Sequence, residues 1–340
     1  MKIGIVGYGT GGRHFHAPFI CAAKGLELTG IVARAPETIA RVKADFPDVP
    51  VYESLTALLA AGVDIVTITT PPHTRRELVL EAIAAGVAVI ADKPFAPDAA
   101  TGRELEASAK AKGVVLGVYH NRRFDADILT LKHILDEGKI GKPWRFHNRM
   151  DLDEPDTLEG GPQGGLLRDM GSHLVDQALW LFGPARSVYA HTDSVHRPEG
   201  ETDASFVITL VHTNGVHSHI SSSKLNHLSA RELRLYAEKG NYVSSSSDVQ
   251  AQAIFAGKRP MDDPASWGYE PPEHWGTLSS EKGAERVSSA QGCYQRYYEA
   301  FAEAVRSGTE PPVTTAQAIR TLEVLDAALR SAKENRVLDF

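Results

Sequence analysis

The stretch KIGIVGYGTGG, residues 2–12, decides the fold of this chain. Residues 2–6 are apolar and predict a buried strand, and a glycine-rich turn and a helical stretch follow at once. In a turn of this pattern Gly7 permits the tight bend, Gly9 lets the backbone approach a pyrophosphate, and Gly12 allows close helix–strand packing. The start of the helix offers free N–H groups to an anion. The stretch therefore predicts the phosphate end of a dinucleotide site, with a plain glycine-rich turn as the alternative.

The composition indicates a globular protein with neither a nucleic-acid nor a membrane partner. The chain has 340 residues, enough for two domains, and its net charge of -7 argues against a nucleic-acid or anionic-membrane surface. Cys21 and Cys293 form neither a CxxC motif nor a disulfide framework, and the longest apolar run, near residues 82–91, is too short to span a bilayer. The first strand leaves no room for a signal peptide, so we expect a cytoplasmic protein.

Apolar strands alternate with helical stretches up to about residue 119. The predicted strands are 2–6, 26–33, 63–69, 87–91 and 114–119, and the predicted helices are 13–23, 36–45, 55–61, 75–85 and 99–112. Continuous Val/Ile runs are typical of strands that are buried on both faces of a parallel sheet. We therefore predict an α/β fold whose residues 1–120 form a doubly wound Rossmann domain, with ligands at the carboxyl ends of the strands.

The pattern changes in the second part of the chain. The predicted helices are 127–137, 166–182, 294–307 and 315–334, the predicted strands are 144–150, 187–191, 204–211, 216–222, 232–237 and 241–245, and 257–276 is predicted to be a long loop. Turns such as Thr213-Asn214-Gly215 are typical of antiparallel hairpins. They predict that residues 121–340 form an α+β substrate-binding and oligomerisation domain with a large, mostly antiparallel sheet. Because the open face of such a sheet needs covering, we expect a homodimer or a homotetramer.

The end of the second strand bears on the choice of nucleotide. A site for NAD usually has Asp or Glu there, about 20 residues beyond the glycines, to bind the adenosine ribose. Here Arg34 follows the strand, and the first acidic residue is Glu37. An arginine can pair with a 2′-phosphate and stack on adenine. We therefore favour NADP(H), with NAD(H) possible, unless Arg34 is simply a solvated residue at a strand end.

Four further motifs carry a family resemblance. They are TTPPH at 69–73, ADKP at 91–94, YHNRR at 119–123 and DMGSH at 169–173. With the glycine turn, they resemble the Gfo/Idh/MocA family (glucose–fructose oxidoreductase, inositol dehydrogenase and rhizopine catabolism) over essentially the whole chain. Together, FHAP at 15–18, YHNRR and DMGSH are most similar to a branch that contains NADP-dependent scyllo-inositol dehydrogenases. Asp92 departs from the family, which usually has Glu before the Lys-Pro pair.

The resemblance implies a role for three side chains. It implies that Lys93 hydrogen-bonds the reacting oxygen and works with His173, while Asp169 binds a neighbouring hydroxyl. Independently of the family, the spacing of Asp169 and His173 places them on one face of a helix, one turn apart. The alternatives are that Lys93 is a surface lysine in a loop and that Asp169 and His173 form a surface ion pair. We expect His14 and His16 to be structural, and no histidine spacing predicts a metal site.

The glycine turn, the end of the second strand and the family resemblance together give the expected site residues. We expect catalysis by Lys93, Asp169 and His173, cofactor contacts from Gly7, Gly9, Thr10, Gly12, Arg34, Thr70, Pro71, His73, Asp92, Lys93 and Asn121, and substrate contacts from Lys93, Tyr119, Asn121, Arg122, Asp169 and His173. The alternative for the arginines of the YHNRR motif is that they cap the helix that starts near Asp127 or contact the second domain.

These residues predict an NADP(H)-dependent oxidoreductase that moves a hydride between the nicotinamide and a secondary alcohol or ketone of an inositol, a sugar or a related polyol. In a second interpretation, the protein has the same fold but acts on a non-sugar substrate or is an NAD-dependent glycosidase. A third is a nucleotide-sensing regulator without turnover, which need not keep Lys93, Asp169 and His173 together. Fold alone does not decide among them.

Overall fold

The computed structural model describes residues 1–161, 164–246 and 248–340; Pro162, Gln163 and Ser247 lie outside it. The chain forms two compact units, each assembled from segments that are distant in the sequence. The first unit contains residues 1–121, 250–267 and 293–319, and the second contains 122–249, 268–292 and 320–340. The predicted functional domains, 1–120 and 121–340, are contiguous stretches and stay a prediction.

Helices and strands alternate regularly in the first part of the chain and less regularly afterwards. The strands are β1 Lys2–Val6, β2 Glu27–Val32, β3 Val51–Tyr52, β4 Ile65–Ile68, β5 Ala88–Asp92, β6 Leu116–Tyr119, β7 Pro143–Asp151, β8 Ala185–Arg197, β9 Gly200–His212, β10 His217–Ser223, β11 Ala230–Ala237, β12 Gly240–Ser244, β13 Thr277–Ser280, β14 Gly283–Arg286 and β15 Leu338–Asp339. The α-helices are α1 Ala17–Ala22, α2 Pro36–Asp45, α3 Leu55–Ala60, α4 Pro72–Ala84, α5 Ala99–Lys112, α6 Ala126–Asp136, α7 Leu166–Phe182, α8 Val249–Phe255, α9 Gln295–Ser307 and α10 Thr315–Glu334. A π-helical segment covers Gly11–His16, and 3₁₀ turns cover Asn121–Phe124, Pro155–Thr157 and Pro272–His274. Over the described ranges, no helix combines the length and apolarity needed to cross a membrane.

The first unit contains a six-stranded sheet in the order β3-β2-β1-β4-β5-β6. All of its strand pairs are parallel. Strands β1, β4 and β5 are buried almost throughout, as the continuous apolar runs predicted. The strand order reverses between β1 and β4, and ligands of doubly wound sheets bind at such a switch point. The predicted Rossmann fold is confirmed.

The second unit contains a nine-stranded sheet in the order β14-β13-β12-β11-β7-β10-β9-β8-β15. The β7–β10 pair is parallel and the other pairs are antiparallel. Helix α7 packs across β7, β9 and β10, and apolar side chains such as Leu174, Phe206 and Ile220 form the core beneath it. On β9 the opposite face is open, since Val207 is 53% exposed. The predicted mostly antiparallel sheet is confirmed.

Several short elements were not predicted. Strands β3 and β15 are two residues long and too short for a periodic signal. Strand β14 is exposed throughout, so it lacks the alternation of apolar and polar residues by which strands are recognised. Helix α8 is held by a polar residue, because buried Gln250 accepts hydrogen bonds from Tyr294 N at 3.0 Å and Trp267 Nε1 at 3.3 Å. Single-residue anchors of this kind leave no pattern in the sequence.

Candidate active site

The glycine turn of the first unit has the geometry that a dinucleotide requires. Gly7 has a φ of 100°, which favours glycine, and its N–H donates to Val32 O at 3.2 Å. A Cβ atom on Gly12 would overlap the carbonyl oxygen of Gly7, so the helix can start this close to β1 only with glycine there. Above Gly9 there is open space, since a Cβ atom there would meet nothing within 4 Å. The turn therefore leaves its main chain accessible and fits a pyrophosphate.

Asp45, the last residue of α2, fixes this turn from behind. Its carboxylate accepts hydrogen bonds from Tyr8 Oη at 2.9 Å and from Arg13 Nε at 2.7 Å and Nη2 at 3.1 Å. Burial raises the pKa of Asp45, but the bonds from Arg13 and Tyr8 outweigh it and hold that pKa below its usual value. Tyr8 in the turn and Arg13 just after it are thus tied to one ionised carboxylate, which was not predicted from the sequence.

Asp92 ends β5 and holds the main chain of Lys93. Its Oδ1 accepts from Lys93 N at 2.7 Å, and its Oδ2 lies 3.2 Å from His16 Nε2 and 3.9 Å from Arg75 Nη2. Burial alone would raise the pKa of Asp92, but the charges of His16, Arg75 and Lys93 hold it well below its usual value. A Cβ atom on Gly11 would lie 3.2 Å from Oδ2. An ionised carboxylate therefore links the predicted catalytic lysine to the glycine turn.

Arg75 connects the loops that follow β4 and β5. Its guanidinium is 3% exposed and donates to the carbonyl oxygens of Thr70 at 2.7 Å, Asp92 at 2.6 Å and Pro94. The end of β5 and these loops carry four predicted site residues, namely Thr70, Pro71, Asp92 and Lys93. The sequence analysis missed this role, although a signal exists: Arg75 occupies the buried stripe of α4 together with Val79, Ala82 and Ile83.

His16 is fully buried between Asp92 and an aromatic cluster. Its Nδ1 lies 2.6 Å from Tyr298 Oη, and its ring centroid lies 4.4 Å from that of Tyr119. Tyr119 is 1% exposed and donates its hydroxyl to Phe15 O at 2.9 Å. Burial raises the pKa of Tyr298 well above its usual value, and nearby Tyr119 and Asp92 raise it further. Tyr119 thus lies in the core of the first unit, and its predicted substrate contact stays a prediction.

The other predicted cofactor residues lie at the surface or at the strand ends of the first unit. Arg34 is exposed at the end of β2 and donates from Nε to Glu53 O at 3.1 Å. Thr10, Pro71 and His73 are exposed, Thr70 is partly buried and accepts from Thr74 Oγ1 at 2.9 Å, and Asn121 is 6% exposed. Their contacts with a cofactor stay predictions.

In the second unit, α7 carries the predicted pair Asp169 and His173. The helix begins just after Gly165, whose φ is 90° and where a side chain would overlap Asp203. Asp203 Oδ2 accepts from Leu167 N at 2.6 Å. Burial raises the pKa of Asp203, and the N–H group of Leu167 opposes the shift. The predicted bounds of this helix agree with α7, so the two side chains lie one turn apart; His173 is buried and Asp169 is one-third exposed.

Lys224 lies against this pair, and the sequence analysis missed it. The residue follows β10, and its side chain is 4% exposed. Its Nζ lies 3.3 Å from Asp169 Oδ2 and 3.2 Å from the carbonyl oxygen of Thr157. A single lysine after a strand has no distinctive spacing, so nothing in the sequence pointed to this contact.

Further polar contacts fix the position of α7. Arg123 binds both oxygens of Asp176 at 2.7 Å. Gln177 Nε2 donates to Arg122 O at 2.9 Å. Arg122 Nη1 lies 3.2 Å from Oδ2 of Asp125, the residue that precedes α6. The predicted contact of Arg122 with substrate stays a prediction.

Family models match both parts of the chain. The model described as an oxidoreductase family with an NAD-binding Rossmann fold matches residues 1–120, and the model of the GFO/IDH/MocA C-terminal domain matches residues 128–243. The chain belongs to the Gfo/Idh/MocA oxidoreductase family. This confirms the resemblance and the prediction of an NAD(P)-dependent dehydrogenase or reductase.

Individual relatives of this Gfo/Idh/MocA protein cover nearly its full length. It is 32% identical to scyllo-inositol 2-dehydrogenase (NADP(+)) IolW of Bacillus subtilis (strain 168), with 99% of this chain and 95% of the relative covered. It is 34% identical to the uncharacterized oxidoreductase YdgJ of Escherichia coli (strain K12), with 99% and 98% covered. The solved structure of YvaA from Bacillus subtilis matches with a TM-score of 0.90 and 31% identity over 100% of both chains.

Proposed function

We propose that this protein is an NADP(H)-dependent dehydrogenase or reductase that acts on a secondary alcohol or ketone of an inositol, a sugar or a related polyol. The observation that carries the proposal is the Asp169–His173 pair on one turn of α7, in a family member that also has Lys93 directly after β5. IolW, which is similar over 99% of this chain, supports the substrate class.

The proposed chemistry divides proton handling from hydride transfer. The nicotinamide, when bound, supplies the hydride acceptor or donor. His173 takes the proton from the substrate hydroxyl in oxidation and returns it in reduction, since imidazole is suited to both at neutral pH. Lys93 donates a hydrogen bond to the reacting oxygen and stabilises its negative charge. Asp169 accepts a hydrogen bond from a neighbouring hydroxyl and orients the reacting carbon.

The preference for NADP(H) rests on Arg34. Its Nε–H donates to Glu53 O at 3.1 Å, which fixes the base of the guanidinium at the end of β2. The remaining N–H donors of the guanidinium are suited to a 2′-phosphate. The printed name of the relative IolW specifies NADP(+), which agrees with this preference. NAD(H) stays possible as a second cofactor.

We also propose a cytoplasmic homodimer, or a homotetramer built from dimers. The support is the open face of the nine-stranded sheet, where Val207 and Tyr189 are 53% and 40% exposed. Light scattering should report a multiple of the 36.8 kDa chain at micromolar concentration. Only the single-chain mass at that concentration would refute the assembly.

The decisive experiment follows nicotinamide absorbance with each of NADP⁺, NAD⁺, NADPH and NADH. The oxidised forms are tested with a panel of inositols, sugars and other polyols, and the reduced forms with the matching ketones. We expect turnover with at least one polyol and a better kcat/KM with NADP(H). Tight NADPH binding without turnover would instead favour a sensor, and turnover confined to non-sugar substrates would refute the substrate class.

A further inference from the structure

We propose that Lys224 is a positioning residue for Asp169, a role that rests on the proposed function of this site. Its ammonium lies 3.3 Å from Asp169 Oδ2 and also donates to Thr157 O at 3.2 Å. The side chain of Lys224 is 4% exposed, whereas that of Asp169 is 33% exposed. The lysine therefore holds the carboxylate from the buried side.

The burial of Lys224 indicates that its charge has a role at this place. A buried ammonium is unfavourable unless it is paired and hydrogen-bonded, and here a carboxylate and a carbonyl oxygen provide the partners. The main chain of Lys224 is fixed as well, since its N–H donates to Ala204 O on β9 at 3.1 Å. The lysine thus connects Asp169 on α7 to the sheet and to the 3₁₀ turn that ends at Thr157.

This arrangement limits the rotation of the Asp169 carboxylate. In the proposed reaction, Asp169 has to present an oxygen to a substrate hydroxyl, and small misplacements of such a group reduce the rate strongly. Without the ammonium, the carboxylate loses a partner that defines its orientation. The effect should therefore appear in the use of the polyol and not in the binding of the nucleotide.

The test substitutes Lys224→Met, which keeps a long apolar side chain and removes the charge. We expect kcat/KM for the best polyol to fall by about ten- to a hundredfold, through a lower kcat as well as a higher KM, while the Kd of NADPH measured by fluorescence stays unchanged. The matched control is Lys139→Met, because Lys139 pairs with Glu137 at 2.6 Å in the same unit but is 52% exposed. The control should keep the kcat/KM of the unmodified protein.

A double-mutant cycle with Asp169→Asn separates positioning from a structural role. If Lys224 acts through Asp169, Lys224→Met should lower kcat/KM by less than about threefold in the Asp169→Asn background. An equal loss in both backgrounds would overturn the inference, as would an unimpaired single variant. Should Lys224→Met not fold, Lys224→Gln, which keeps an N–H donor, is measured in the same two backgrounds. An unmodified protein that neither binds nor converts any polyol would refute the proposed function itself.

Discussion

In the first unit the buried guanidinium of Arg75 binds three main-chain carbonyl groups, whereas in the second unit that of Arg123 binds both oxygens of one side chain, Asp176. The acceptors of Arg75 lie at the end of β5 and in the segments that follow β4 and β5, so Arg75 fixes the paths of these segments. The acceptor of Arg123 lies on α7, so Arg123 helps to fix the position of that helix. A buried arginine thus fixes the paths of loops in the first unit and the position of a helix in the second.

This difference separates the predicted site residues into two groups. Most of those of the first unit lie at strand ends or in the turns that follow them, where the predicted nucleotide contacts depend on the course of the main chain. In the second unit Asp169 and His173 project from a helix, where side-chain direction follows from helical periodicity. Apart from Lys93, which we propose takes part in the chemical step, we therefore expect substitutions in the first unit to affect nucleotide binding and those on α7 to affect the chemical step.

The largest effect is expected from removing the proposed proton-handling groups. His173→Ala should lower kcat by about 10²–10⁴-fold, because general acid–base catalysis is lost. Lys93→Ala should also lower kcat strongly, while NADPH binding largely persists in both variants. A matched control is His196→Ala, since His196 is a paired but 82% exposed histidine of the same unit.

Steady-state kinetics and thermal melts with and without NADPH check this prediction. Near-normal turnover of His173→Ala with the best polyol would contradict it. So would a Lys93→Ala variant that loses activity only because it no longer folds.

The next effect tests whether Arg75 fixes the loops. Arg75→Met leaves the carbonyl groups of Thr70, Asp92 and Pro94 without a charged donor, so the free energy of unfolding should fall by about 3 kcal/mol. The KM for NADP(H) should rise as well. The adjacent Arg76 is the control, because it is half-exposed and pairs with Glu104 at 2.7 Å on the surface.

Urea unfolding of Arg75→Met and Arg76→Met provides the comparison. Arg76→Met should unfold almost as the unmodified protein does. Equal stability of the two variants would remove the distinction between main-chain and surface acceptors.

A smaller effect is expected at the end of β2. Arg34→Asp should shift the ratio of kcat/KM for NADP(H) over NAD(H) by about ten- to a hundredfold toward NAD(H), because one arginine–phosphate pair is lost. Parallel kinetics with both nucleotides measure the ratio. Equal efficiency of both nucleotides with the unmodified protein would contradict the proposed preference.

The smallest effect concerns the pH dependence of stability, through a buried histidine of the second unit. Buried His212 places Nδ1 2.8 Å from Gly183 O and Nε2 2.8 Å from Ser218 Oγ. Burial lowers the pKa of His212, with His217 adding to the shift. Below pH ~6.5 the unfolded chain therefore binds a proton that the folded chain does not, so stability falls as the pH falls.

His212→Gln removes this titration, and its unfolding free energy should depend less on pH between about 7.5 and 5.5. Urea unfolding at several pH values measures the slope. The exposed His196→Gln is the control and should keep the original slope. An unchanged slope in His212→Gln would show that burial of this histidine does not control the response.

The regular elements could be predicted because their signals are local. Helix α5 begins after Asp98, whose side chain accepts from Thr101 N at 2.7 Å, and ends at Gly113 with a φ of 65°. Helix α7 lies between Gly165 and Gly183. Cap residues and apolar spacing specify such bounds, so both helices agree with their predicted ranges. The polar, exposed β14 has no such signal and was missed.

The sequence by itself determined the glycine turn, the alternation of strands and helices in the first part of the chain and the one-turn spacing of Asp169 and His173, because each depends on residues that are close along the chain. Only the tertiary structure decided which side chains hold these features in place. Arg75 on α4 contacts Asp92 and Pro94, and His16 contacts Asp92 from the first βα connection. Lys224 contacts Asp169, which lies 55 positions away in the sequence. A lone charged residue produces no periodic pattern in the sequence. Its partner is therefore defined only by the path of the folded chain.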